Sequence, residues 1–107
     1  MTTIDPNRDL MTLINVFDVD PERCDELVEV LTDATVNTIA GLDGFVSANI
    51  HRSDDGTQVV NYAQWASREA FDAMRNHPDA QPHLRQCAAI ANKFNPIIAT
   101  VAHSTAR

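Results

Sequence analysis

The most informative part of this sequence is residues 55–65, DGTQVVNYAQW, with the SREAF segment of residues 67–71 close behind it. An Asp-Gly pair between strand-forming residues is a strong hairpin signal, and Val, Tyr and Trp favour strands. Ser67 is a preferred helix N-cap, and Glu69 suits the positive end of a helix that follows. These residues therefore predict a tight turn, a strand and the first turn of a helix.

Side chains of this strand alternate between the two faces of a sheet. Both faces receive large apolar groups, whereas one layer of helices can cover only one face. We therefore expect the other face to meet a second copy of the chain. One face carries Val59, Asn61, Ala63 and Trp65, and the other face carries Val60, Tyr62 and Gln64.

Length and charge limit the class of protein. A chain of 107 residues fits one domain over residues 1–107, with a loose arm at 1–9 and a short tail at 104–107. The net charge of -7, from 15 acidic and 8 basic side chains, argues against nucleic acid and anionic membranes as partners. With no apolar run of membrane length and no basic-apolar leader, we expect a cytoplasmic protein.

Cysteine, glycine and histidine give little sign of a cofactor. Cys24 and Cys87 each lie within a helical pattern, so we expect two reduced core thiols. The three glycines build no phosphate-binding loop. The histidines have no metal-ligand spacing, so no metal site is expected.

The order of elements predicts the architecture. Strand and helix patterns follow one another as β-α-β-β-α-β, which is the ferredoxin-like α+β fold with an antiparallel sheet and its helices on one face. Two such sheets packed face to face would form a dimeric α+β barrel. The predicted strands span residues 10–19, 44–53, 57–65 and 94–101, and the predicted helices span 21–41, 67–77 and 79–92.

Alternation in the first two strands repeats the two-sided pattern. Leu10, Ile14 and Val16 oppose Met11, Leu13, Asn15 and Phe17 in the first strand. In the second strand, alternation places Phe45 on the same face as Ser47, Asn49 and His51, and the opposite face carries Val46, Ala48 and Ile50.

The fold leaves a cavity between helices and sheet, where chemistry could take place. Asn61 and Trp65 share a strand face, and the last helix could bring Arg85 or His83 over them. Hydrogen-bond donors around an apolar pocket suit an oxyanion such as a phenolate. The same residues also fit ordinary roles, as a satisfied polar strand residue, a core tryptophan and a surface cation.

The run from Asp55 to Trp65 followed by Ser67, together with Gly44-Phe45 and Leu84-Arg85, resembles the antibiotic biosynthesis monooxygenase family, and especially its quinone-forming members. The resemblance implies oxygenation of an aromatic polyketide-type phenol or anthrone to a quinone by dioxygen, without flavin, haem or metal. It gives Asn61 and Trp65 the roles of positioning the substrate and polarising its oxygen or the peroxide. It gives Arg85 the role of stabilising negative charge.

Further substrate contacts are expected around this set. One departure from the quinone-forming members is Phe71, where they carry a tyrosine. His51 and His83 are the side chains whose ordinary pKa suits a base at neutral pH. The expected substrate-binding residues are Phe71, Met74, His83, Tyr62 and His51.

Two other functions are compatible with the sequence. Haem-degrading relatives use Asn, Trp and His, for which Asn15 and His83 are approximate candidates, while Met74 stands near the tryptophan position. A non-enzymatic ligand-binding or stress-response dimer is compatible with the same scaffold. An open pocket lined by Asn61, Trp65 and Arg85 would favour catalysis, and one filled by the side chains of Phe71, Met74 and Leu84 would favour a structural role.

Overall fold

The computed structural model describes residues 1–107 and contains one four-stranded antiparallel sheet with three α-helices. The strands lie in the order β2-β3-β1-β4. No α-helix combines the length and apolar character that a membrane crossing requires. The elements are β1 Met11–Asp18, α1 Cys24–Asn37, β2 Phe45–Arg52, β3 Gln58–Trp65, α2 Arg68–Arg75, α3 Gln81–Ile90 and β4 Lys93–Ala99.

This order and pairing confirm the predicted ferredoxin-like fold. The helices pack on one face of the sheet, here called the inner face, and form two buried clusters with it. One cluster joins Phe17 and Val59 of the sheet to Leu27 of α1. The other joins Trp65 to Phe71 of α2. We call the opposite side of the sheet the outer face.

The first helix is shorter than predicted. α1 ends at Asn37, and a separate 3₁₀ turn, Ile39–Gly41, follows it. A second 3₁₀ turn, Pro21–Arg23, precedes α1, with Pro21 at the first helical position. The predicted span of 21–41 therefore consists of three pieces, because a periodic apolar pattern does not distinguish an α-helix from the 3₁₀ turns at its ends.

A β-bulge corrects the predicted side of Phe45. Phe45 pairs with Trp65, but Ser47 pairs with Gln64, so β2 has one extra residue at this point. The bulge turns Phe45 to the inner face, whereas simple alternation placed it with Ser47, Asn49 and His51. An extra residue reverses the alternation on one side of it.

The turn and cap on either side of β3 form as predicted. Gly56 has a φ of 72°, which an L side chain would find strained. The Asp55 carboxylate accepts hydrogen bonds from Thr57 N at 3.0 Å and Ser53 Oγ at 2.8 Å. Bonds from Thr57 and Ser53 lower the pKa of Asp55 below its usual value. Ser67 Oγ accepts the Ala70 N–H at 3.1 Å and caps α2.

Residues 1–9 run along the outer face of the sheet. They form no helix or strand. Thr2 Oγ1 donates to Asn49 Oδ1 at 2.9 Å, and the Thr3 carbonyl accepts from Gln64 Nε2 at 2.8 Å. The arm is thus joined to the sheet at two points.

Candidate active site

A cavity of about 320 Å³ lies between the inner face and the helices. Hydrophobic residues make up 14 of the 19 residues in its wall. Such a volume suits a small organic ligand, and an apolar wall with few polar groups is typical of ligand pockets. The wall is formed by Leu13, Asn15, Phe17, Leu31, Thr35, Ile39, Phe45, Ala48, Asn61, Ala63, Trp65, Phe71, Met74, Arg75, Leu84, Cys87, Ala88, Phe94 and Pro96.

Two asparagines provide polar groups in this wall. Asn15 of β1 and Asn61 of β3 are directly opposite each other in the strand register. The Oδ1 atom of each is buried and has no hydrogen-bond partner. Leaving a buried polar atom unpaired costs about 1–3 kcal/mol, and native proteins rarely tolerate it. The two oxygens are therefore candidate acceptors for a hydrogen bond from a ligand.

Aromatic side chains build one end of the cavity. Trp65 is 1% exposed, and its ring meets that of Phe45 edge-on with 5.5 Å between centroids. The Phe71 ring centroid lies 6.2 Å from that of Trp65. This packing depends on the bulge in β2, because the bulge turns Phe45 inward.

Gly44 allows the same end of the cavity to close. It has a φ of 84°, and a Cβ built on it would lie 2.3 Å from the Cβ of Ala70. Only glycine fits such a close approach of the start of β2 to α2. Gly44 thereby sets how near α2, which carries Phe71 and Met74, lies to the sheet.

Two ionisable side chains line the cavity. Arg75 contributes a guanidinium and Cys87 a thiol. Burial raises the pKa of Cys87 to about 11, so this thiol is protonated at neutral pH. Cys24 and Cys87 are both buried and free, which confirms the prediction of two core thiols.

Four of the predicted site residues come together in this cavity. Asn61 and Trp65 line it from β3, and Phe71 and Met74 line it from α2. Phe71 and Met74 are 3% and 6% exposed. They form part of the wall and leave the cavity open, and Leu84 does the same from α3. The cavity is therefore not filled by the side chains that a structural role would have required.

The structure places the other four predicted site residues elsewhere. Arg85 is exposed on α3 and is not in the wall, because Leu84 and Ala88 occupy the inward side of that helix. His83 is half-buried, and its Nε2 lies 3.2 Å from Thr38 Oγ1. For these two residues, the predicted position over Asn61 and Trp65 is corrected.

Tyr62 and His51 lie on the outer face. Tyr62 follows Asn61 in β3, and His51 is paired with Val60 of the same strand. Since successive strand residues point to opposite faces, neither side chain reaches the cavity. His51 is exposed, and its Nδ1 lies 3.0 Å from the Asn49 carbonyl oxygen.

Asn15 and Arg75 are two polar cavity residues that the predicted quinone-forming site does not include. The sequence suggests Asn15 only as a residue for haem degradation, although it shares a face with Leu13 and Phe17 and pairs with Asn61. Arg75 follows Phe71 by four residues in α2, a spacing that puts two side chains on one side of a helix. That spacing was a usable signal for Arg75.

The chain belongs to the antibiotic biosynthesis monooxygenase family. The family's sequence pattern matches residues 10–86, which include every strand except β4 and the whole of α2. Membership confirms the resemblance noted in the sequence and makes this protein an enzyme, a monooxygenase.

Individual relatives agree with this assignment. The chain is 48% identical over 104 residues to a tetracenomycin-F1 monooxygenase of Streptomyces glaucescens, covering 97% of this chain and 92% of that protein. It is 31% identical to the ActVA-Orf6 monooxygenase of Streptomyces coelicolor, solved with the ligand nanaomycin D, with a TM-score of 0.75 and 96% of each chain covered. The fold also matches SnoaB of Streptomyces nogalater, a cofactor-independent oxygenase, at 24% identity and a TM-score of 0.78, covering 90% of this chain and 96% of that one.

Proposed function

We propose that this enzyme oxidises an aromatic polyketide-type phenol or anthrone to a quinone with dioxygen, without flavin, haem or metal. The observation that carries the proposal is the pair of unpaired buried oxygens on Asn15 and Asn61 in an open apolar cavity. The 48% identity to a tetracenomycin-F1 monooxygenase supports an aromatic substrate of that type. The nanaomycin D bound to ActVA-Orf6 and the cofactor independence of SnoaB agree with it.

The proposed reaction balances without an external reductant. An anthrone CH₂ group and one O₂ give a quinone C=O group and one water. The ionised substrate supplies the electrons to dioxygen, a carbon–oxygen bond forms, and the peroxide then loses water as its O–O bond breaks. The substrate itself is thus oxidised by four electrons, two for each oxygen atom.

The protein's part in this reaction is to bind, orient and exclude water. The unpaired Oδ1 atoms of Asn15 and Asn61 would accept a hydrogen bond from a substrate hydroxyl. The Nδ2–H groups of the same carboxamides would donate to the substrate's reacting oxygen, and these bonds strengthen as negative charge develops. Trp65 and Phe71 would hold the ring system in place. The apolar wall keeps the site at a low dielectric, where a fixed hydrogen bond to an anion is stronger than in water.

The wall contains neither a carboxylate nor a histidine, so we propose that the substrate enters already ionised or loses its proton to solvent at the mouth. The resemblance gives the charge-stabilising role to Arg85, and the general chemistry of histidine makes His51 and His83 the candidate bases. Their positions outside the wall do not support these roles.

Quinone formation from dithranol, an anthrone, by metal-free protein would test this function. Oxygen uptake and quinone absorbance should rise together, one O₂ for each quinone, and ¹⁸O₂ should put one labelled atom in the product. Asn61→Ala and Trp65→Phe should each slow turnover tenfold or more, a loss of about 1.4 kcal/mol of transition-state stabilisation. Asn49→Ala is the matched control, because Asn49 lies on the outer face and its Nδ2 donates to the Tyr62 carbonyl.

Other outcomes would change the proposal. Undiminished turnover in both cavity variants would keep the reaction but move the site. No turnover of dithranol or of related phenols by the wild type would overturn the quinone-forming function and favour a ligand-binding role.

We further propose that the outer face pairs with a second copy of the chain, as the two-sided pattern predicted. Ile14, Val16 and Tyr62 are only half-buried there, and Ile97 is 44% exposed. Light scattering should give about twice the chain mass of 11.8 kDa, and Val16→Asp should shift it towards the monomer. A wild type that is monomeric at all concentrations would contradict this. Cytoplasmic location stays a prediction.

A further inference from the structure

Arg75 is the charged side chain of the cavity wall. Its guanidinium carbon lies 4.8 Å from the centroid of the Phe71 ring, and Phe71 is itself part of the wall. A guanidinium stacked on an aromatic ring is held in position and still has free N–H groups at its edge. The cavity therefore has a fixed cation at one border.

Asp72 holds this cation in place. Arg75 Nη2 donates to Asp72 Oδ1 at 2.5 Å, and the same carboxylate accepts from Arg68 Nε at 3.2 Å. Hydrogen bonds from Arg75 and Arg68 lower the pKa of Asp72, so the carboxylate is ionised at neutral pH. Two cations share one anion, and the group retains a net positive charge in a protein whose net charge is -7.

The polar groups of the cavity lie in two different environments. The Oδ1 atoms of Asn15 and Asn61 are inaccessible to solvent, whereas the side chain of Arg75 is 46% exposed. Most of the remaining wall is apolar. A ligand that matches these groups has a hydroxyl that can donate to the asparagine oxygens at the buried end, an apolar body, and an anion at the mouth, where the exposed Arg75 side chain lies.

We propose that Arg75 is a specificity-determining residue that selects substrates carrying a carboxylate on the end of the ring system that faces the mouth. A guanidinium presents two parallel N–H groups that match a carboxylate. The inference deepens the proposed function and rests on it for the identity of the cavity as the substrate site. It concerns binding, so it can be tested without turnover.

Two anthraquinone ligands of matched shape provide the test. Anthraquinone-2-carboxylate is anionic at neutral pH, and anthraquinone-2-carboxamide is neutral. Trp65 is the sole tryptophan of the chain and lines the cavity, so quenching of its fluorescence reports binding directly. Titrations at low salt would give a Kd for each ligand with the wild type, Arg75→Gln and Arg68→Gln.

The expected result is a split between the two ligands. Arg75→Gln should raise the Kd of the carboxylate ligand at least tenfold and that of the carboxamide ligand less than twofold. Arg68→Gln is the matched control, because Arg68 binds the same Asp72 but is not in the wall, and it should change both ligands less than twofold. Added salt should raise the Kd of the carboxylate ligand for the wild type, because it screens the attraction between opposite charges.

Three results would overturn the inference. The first is an equal change in the Kd of both ligands in Arg75→Gln. The second is an equally large change in the Kd of the carboxylate ligand in Arg68→Gln. The third is a wild type in which neither ligand quenches Trp65 fluorescence. Failure of the proposed function is a separate result, since an enzyme that forms no quinone from dithranol can still show the split in Kd.

Discussion

Two carboxamides on one strand show how differently the two faces of the sheet are built. Asn61 faces inward, and its Oδ1 is buried without a partner. Gln64, three residues later, faces outward and is 2% exposed. Its Oε1 accepts from Ser47 Oγ at 2.8 Å, and its Nε2 donates to the Thr3 carbonyl at 2.8 Å. The outer amide has both of its polar atoms hydrogen-bonded within the fold, whereas the oxygen of the inner amide has no partner, and we propose that it serves a ligand.

This contrast means that burial alone does not identify a functional polar group. Both side chains are amides on β3, and the sequence places both between strand-forming neighbours. Hydrogen-bond partners distinguish them, because a buried polar group is normally satisfied and an unsatisfied one costs stability. We expect mutations at the two positions to affect different properties of the protein.

The largest effect should come from Asn61→Leu. Removing one preorganised donor to a developing oxyanion typically costs about 100-fold or more in rate, and we expect that loss in quinone formation from dithranol. The free energy of unfolding in urea should stay the same or rise by up to about 1 kcal/mol, because an unpaired buried polar group is replaced by an apolar one. A fall in stability that accompanies the fall in rate would mean that Asn61 supports the fold.

Gln64→Leu should show the reverse pattern. It leaves the Ser47 hydroxyl and the Thr3 carbonyl without their partner, so we expect a loss of about 1–3 kcal/mol in the free energy of unfolding. Turnover by the folded fraction should remain within about twofold of the wild type. Rates at a temperature well below the unfolding midpoint, compared with urea curves, would separate the two effects.

The Cys87 thiol, on the inner side of the sheet, should have a smaller effect, which is on the pH dependence of stability. Because burial raises the pKa of Cys87 to about 11 from the ordinary value of 9.0, the folded state disfavours the thiolate. Its contribution to stability is therefore present below pH 9.0 and is lost as the pH rises towards 11. The free energy of unfolding, measured with urea, should fall more steeply with pH across this range in the wild type than in Cys87→Ala. Parallel curves would contradict the raised pKa.

The smallest effects should follow substitution of the histidines outside the cavity. His51→Gln changes the outer face, and His83→Gln removes the contact with Thr38. Neither side chain lines the cavity, so turnover should stay within about twofold and the pH–rate profile should keep its shape. Loss of one limb of that profile in either variant would restore the histidine as the base.

Most of the fold could be predicted from the sequence because its signals are local. The Asp-Gly turn, the Ser67 cap and the alternation of β3 all depend on neighbours in the chain, and the structure has each of them. The bulge in β2 could not be found this way. It depends on how Phe45 and Ser47 pair with β3, which is a contact between strands.

The site was predictable only in part for the same reason. The strand face of Asn61 and Trp65 follows from alternation, and so does that of Asn15 once it is paired with Asn61. The choice between Arg75 and Arg85 depends on how α2 and α3 rotate against the sheet. In α3, the inward side is taken by Leu84, Cys87 and Ala88, which turns Arg85 to solvent.

One NMR measurement would test the contrast between the faces most directly. Side-chain amide resonances of Asn61, Gln64 and Asn49 can be followed in one ¹⁵N spectrum while 1,8-dihydroxyanthraquinone, the quinone from dithranol, is added. We predict that the Asn61 resonances shift strongly, whereas the resonances of Gln64 and Asn49, on the outer face, shift only slightly. Movement of the Gln64 resonances with Asn61 unchanged would show that the ligand binds elsewhere and would contradict the assignment of the inner amide to the substrate.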